Sequence, residues 1–131
     1  MILADTNVVV DFCGVTAART RRAQSVKSAI PRGERLVITE AVLAECFWVL
    51  RQSYGWSDRD SADVLADIAD STEFAAENGY LRVSLTIKRS HPSLDIADCL
   101  LAARVLDGDD LITHDARLNR AIELEMRGPT Q

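Results

Sequence analysis

No apolar run in this sequence approaches the roughly 18 residues a membrane span requires; the aliphatic residues come in short stretches broken by charge. The start, Met1-Ile2-Leu3-Ala4-Asp5, lacks the basic residues and long apolar stretch of a secretory leader. The expectation is therefore a cytoplasmic protein with no membrane contact. Paired cysteines are absent too. Cys13, Cys46 and Cys99 stand far apart, without CxxC spacing or nearby histidine, which argues against disulfides and zinc and reads as three reduced core residues. Repeats, linkers and low-complexity segments are also missing.

Excess positive charge, the usual mark of a nucleic-acid partner, is lacking as well: the net charge is -5. The total conceals an asymmetry. Five of the 20 acidic residues are assigned below to one site, which leaves 15 acids against 15 bases elsewhere. The bases are 13 Arg and 2 Lys, and the planar fork of arginine suits bidentate phosphate contacts.

What is present is enough for a core. With 131 residues, 47% of them hydrophobic, the chain is expected to form one domain over 1–131, with a loose tail from about 126. Ile2-Leu3-Ala4 reads as a buried parallel strand, and Leu36-Val37-Ile38 as a second, capped by Thr39 into a helix that Gly55 ends. Ser57 caps a further helix whose acids, Asp60, Asp63, Asp67 and Asp70, read as a solvated face. A short third strand is expected within 72–76, then helices over about 78–90 and 93–107. Asp110-Leu111-Ile112-Thr113 reads as another strand, Ala116 opens a short helix, and Ile122-Glu123-Leu124 is a candidate last strand. Strands alternating with helices predict an α/β fold, three layers around a mainly parallel sheet. Sites in such folds form at the carboxyl ends of strands.

Carboxylates on apolar faces are the informative ones. Glu45 has Val42 and Val49 one turn away, with Ala41 on the same side, which predicts a charge aimed into an apolar stripe without a basic partner. Asp98 lies between Leu94 and Leu101-Ala102 and, three residues from Asp95, sets two like charges on one face. Asp95 has a competing role as a first-turn acid favoured by the helix dipole. Asp5 and Asp115 each follow an expected strand and have N-cap readings of their own. If strand-end acids and helix-face acids meet, hard oxygen donors select Mg²⁺ or Mn²⁺. Such an ion activates water and offsets charge on a phosphate, so phosphodiester hydrolysis is the natural reaction.

These residues resemble a known family. Asp5-Thr6-Asn7 after a first strand, Glu45 in Val42-Leu43-Ala44-Glu45, Asp98 in Ala97-Asp98-Cys99-Leu100-Leu101, and Thr113-His114-Asp115 late in the chain resemble the PIN domain, with VapC toxins of bacterial toxin–antitoxin pairs the best match. The resemblance implies an α/β/α fold, a homodimer, Mg²⁺- or Mn²⁺-dependent endoribonuclease activity on RNA, and inhibition by a VapB-like antitoxin whose tail enters the active-site groove. Asp5, Glu45, Asp98 and Asp115 match the family's acidic quartet, and Asp95 an extra acid of some members. Thr6, Asn7 and Thr113 read either as residues that orient the carboxylates or as turn and cap residues.

Other polar and aromatic residues have humbler expectations. His114 is expected to point away from the site, and His91 to lie in a loop. Trp48 is expected in core or dimer packing, while Trp56 stays open between packing and base stacking. Arg19, Arg21, Arg22 and Lys27 form a basic face that suits RNA, the antitoxin or plain solvent. A silent binding module holding a basic partner in its acidic pocket is the second functional reading. Retention of all four acids favours the enzyme. A receiver or phosphatase fold is a third, and lacks a catalytic lysine or Asp-x-Asp at the right strand ends.

Overall fold

A computed structural model of the protein describes residues 1–128. Among these, β1 (Ile2–Leu3), β2 (Leu36–Ile38) and β3 (Phe74–Ala76) form a parallel sheet in the order β1-β2-β3, with Ile2 opposite Leu36 and Leu36 opposite Phe74. Seven helices accompany them: α1 (Thr6–Asp11), α2 (Ala17–Ala29), α3 (Glu40–Tyr54), α4 (Asp58–Asp70), α5 (Tyr80–Ser90), α6 (Ile96–Leu106) and α7 (Ala116–Arg127). Successive strand residues face opposite sides of a sheet. Because Leu36, Val37 and Ile38 are all buried, both faces of β2 are covered by helices, which gives the three-layer arrangement expected from the sequence.

Local chemistry sets the boundaries. Thr39 caps α3 by accepting from Val42 N, and Gly55 ends it with φ at 68°, a left-handed conformation that glycine adopts without steric cost. Ser57 caps α4, whose Asp60, Asp63, Asp67 and Asp70 all face solvent as expected. The core joins Ile38 and Phe74 of the sheet with Leu43, Cys46 and Leu50 of α3, Leu65 of α4, Leu81 and Leu85 of α5, and Leu118 of α7.

Four expectations are corrected. β1 is not buried: Ile2 and Leu3 are 41% and 74% exposed, because β1 is the sheet edge and only β2 flanks it. Residues 110–113 form no strand, and Ile112 is exposed. Ile122-Glu123-Leu124 is helical. Leu118, Ala121 and Ile122 are buried along one side of α7, so the apolar pattern there has the helical period rather than the alternation of a strand. Helix α7 also continues through Arg127, past the point where a tail was expected; residues 129–131 lie outside the described residues. Among the described residues, no helix is long and apolar enough to cross a membrane.

Candidate active site

Loops leaving the carboxyl ends of parallel strands converge along one edge. Asp5 follows β1 there and caps α1, its Oδ1 accepting from Val8 N at 3.1 Å. Thr6 Oγ1 donates to Glu45 Oε2 at 2.6 Å, which ties the start of α1 to the middle of α3. Asn7 is held from the other side by Arg19, whose Nη1 lies 3.4 Å from the Asn7 carbonyl oxygen and whose Nη2 lies 3.5 Å from Oδ1. Arg19 is itself anchored, with Nη1 2.9 Å from Asp11 Oδ1 and Nε donating to the Tyr54 hydroxyl at 2.6 Å.

The remaining acids form a second group. Asp95, Asp98 and Asp115 line one open cleft of about 600 Å³ together with Ser93, Leu94, Ala116 and Arg117. Asp95 holds the N-cap position of α6, but its side chain makes no capping hydrogen bond. The helix therefore leaves that carboxylate free for other partners. Half-buried Asp98 has its carboxyl pushed above the usual range, first by loss of water and then by the charges of Asp95 and Asp115. Asp115 caps α7 through Oδ1, which accepts from Arg117 N at 2.9 Å and Leu118 N at 3.1 Å, and Thr113 Oγ1 accepts from Asp115 N.

The two groups are neighbours rather than one cluster. Ala44 and Ala97, which immediately precede Glu45 and Asp98, line a common groove between α3 and α6. Among the described residues, no three Asp, Glu, His or Cys side chains converge closely enough to ligate a single ion as they stand. Like charges that face one another without a cation between them favour separation. The donor set still fits a hard divalent ion: every candidate is a carboxylate, and Mg²⁺ is commonly held by one or two carboxylates with water completing its shell.

Several sequence expectations change here. Glu45 is exposed and does not enter an apolar stripe; the buried side of α3 is Leu43, Cys46, Phe47 and Leu50. Asp115 follows a coil segment, not a strand. Trp48 is 64% exposed and lies outside the core, whereas half-buried Trp56 packs against the core. Exposed His114 makes no hydrogen bond or ion pair with the acids among the described residues, and His91 ends α5 with Nε2 3.1 Å from Glu125 Oε1. Of the basic face, Arg19 is spent internally, and Lys27 pairs with Glu73 at 2.9 Å. Sequence reasoning missed Arg117 on the cleft wall, buried Asp11 and buried Lys88. Helical spacing alone does not signal Asp11 or Lys88, since their partners lie on other elements.

No curated protein and no solved structure matches the chain. A family model described as PIN domain matches residues 2–124. The parallel three-layer fold agrees with this match, and the chain belongs to the PIN-domain family, whose members are generally nucleases.

Proposed function

We propose that the protein is a metal-dependent endoribonuclease of the VapC toxin type, with Asp5, Glu45, Asp98 and Asp115 as its acidic quartet and Asp95 as an additional acid. The observation that carries this reading is the cleft that gathers Asp95, Asp98 and Asp115, where burial first and the two neighbouring charges next raise the Asp98 carboxyl. Asp115 caps α7, but among the described residues neither the Asp95 nor the Asp98 side chain makes a hydrogen bond that would offset their mutual repulsion, whereas a divalent cation neutralises all three together.

Asp98 and Asp115, with Asp95, would hold Mg²⁺ or Mn²⁺ from the α6–α7 side, and Asp5 and Glu45 from the α1–α3 side. When bound, such an ion activates water and offsets negative charge growing on the phosphate. The chain's own contributions are orientational. Thr6 fixes the Glu45 carboxylate through its hydroxyl, and Thr113 steadies Asp115 through the backbone. The Arg19 network holds Asn7 beside Asp5 and Thr6. Arg117, on the cleft wall, supplies positive charge for an RNA phosphate, and exposed Arg21 on α2 is a further candidate phosphate contact.

Exposed Trp48 and Leu101, on helices α3 and α6, provide apolar surface for a homodimer, and the acidic groove provides the receptor for a basic antitoxin segment. Sedimentation at micromolar concentration tests the dimer, which a purely monomeric boundary would exclude. Catalysis is tested with purified protein and structured RNA in Mg²⁺, Mn²⁺ or EDTA, with Asp5→Ala and Asp98→Asn alongside. Cleavage requires metal and both acids. Equal cleavage by wild type and the variants, or cleavage undiminished by EDTA, refutes the reading.

A further inference from the structure

Lys88, near the end of α5, is 3% exposed, and no RNA phosphate or solvent reaches its ammonium group. A buried ammonium is tolerated when its charge is paired and its hydrogens find acceptors. Here Nζ donates to the carbonyl oxygens of Pro92, at 2.8 Å, and Leu94, and Asp58 Oδ2, 3.3 Å away, supplies the opposite charge. Asp58, in the first turn of α4, is paired in turn with Arg51 of α3 at 2.9 Å, as an ion pair without hydrogen-bond alignment.

The two carbonyls belong to the turn that delivers the chain to Asp95. Ser93 and Leu94 form part of the acidic cleft wall, Leu94 N donates back to His91 O, and Cys99 N donates to Asp95 O as α6 begins. A Lys88 ammonium that grips residues 92 and 94 therefore fixes where α6 starts, and with it the directions of Asp95 and Asp98. Core packing alone does not need this arrangement, since an apolar side chain of similar volume fills such a site at equal or lower cost than a buried ion pair.

We propose that Lys88 is a positioning residue for the acidic cleft: held by Asp58, it locks the 92–94 turn so that Asp95 and Asp98 face one divalent ion. This rests on the metal-site reading above, and the test separates the two. Mn²⁺ affinity is measured by paramagnetic resonance titration for wild type, Asp98→Asn, Lys88→Met and the double variant Lys88→Met/Asp58→Asn. The double variant leaves no orphaned buried carboxylate and so avoids the largest penalty of the single one. Leu65→Ala, a core variant, controls for lost stability.

The expected result is Mn²⁺ binding weakened about tenfold or more in both Lys88 variants, as for other residues that orient metal ligands, with wild-type affinity in Leu65→Ala. Wild-type affinity in a folded double variant overturns the positioning role and leaves the metal site standing. Wild type that binds Mn²⁺ no better than Asp98→Asn overturns the metal-site reading itself. If neither Lys88 variant folds, hydrogen exchange on wild type decides. Leu94 and Cys99 amides, which donate to the carbonyl oxygens of His91 and Asp95, support the lock if protected as well as those of α5, and their exchange at the rate of an unstructured loop overturns it.

Discussion

Replacing Asp98 with asparagine keeps the shape of the side chain and removes one charge from the cleft, and its effect on stability reverses with metal. Without metal, two terms oppose each other. Like charges one helical turn apart cost about 0.2–0.5 kcal/mol per pair, while an acid in a first turn gains about 0.3–1 kcal/mol from the helix dipole. The raised Asp98 carboxyl says that burial and repulsion win, so metal-free Asp98→Asn is at least as stable as wild type, by no more than about 1 kcal/mol. The sign with pH follows. A carboxyl raised in the folded state takes up its proton more readily there than in the unfolded chain. The penalty is thus complete above the raised value and fades as pH falls through it toward 3.8. The advantage of the asparagine fades over the same window. With Mn²⁺ at a hundred times its dissociation constant, wild type gains about 2.7 kcal/mol, or roughly 10 °C in melting temperature for a domain of this size. A variant that binds a hundredfold more weakly gains only about 0.4 kcal/mol at the same concentration. Thermal melts with and without Mn²⁺ should therefore cross over. Equal Mn²⁺ shifts in the two proteins would refute the assignment of Asp98 as a ligand.

Two further outcomes follow from burial. Burial raises the Cys13 and Cys99 thiols to about 12 and drives Cys46 higher still, so none should react rapidly with a thiol reagent at pH 8 until the protein is unfolded. One fast-reacting equivalent in the native state would contradict this. Arg19→Ala breaks a nearly buried pair with Asp11 and frees Asn7, which should cost about 3 kcal/mol in urea denaturation. Arg22 lies 3.4 Å from Asp11 and limits the damage. A loss below about 0.5 kcal/mol would show that the network does not hold the start of α1.

Where capping residues met apolar periodicity, the fold was legible. Thr39, Gly55 and Ser57 marked the ends of α3 and α4 because their chemistry is local and needs no tertiary knowledge. The misses share one cause, which is that short apolar runs fit strand and helix alike. Ile122-Glu123-Leu124 resolves only once Leu118 is seen buried one turn before Ile122, and Ile2-Leu3 looks central until its place at the sheet edge is known. Glu45 shows the same limit for the candidate site. Val42 and Val49 suggested an apolar stripe, but both are only half-buried, and the side facing the core is offset from them. The repulsion read from the three-residue spacing of Asp95 and Asp98 does have a counterpart in the cleft. Its third member, Asp115, comes from the cap of α7, a neighbour that no helical spacing reveals. Lys88 was invisible for a related reason: its significance lies in Asp58, thirty residues earlier, and in two backbone carbonyls.

The most direct measurement is the location of Mn²⁺ by anomalous X-ray scattering from crystals of the wild-type protein grown with the ion. The account predicts a peak within coordination distance of Asp98, with at least one of Asp5, Asp95 and Asp115 also bound to it, and no such peak in Asp98→Asn. Full Mn²⁺ occupancy elsewhere with the cleft empty, or a cleft peak unchanged in Asp98→Asn, would contradict it.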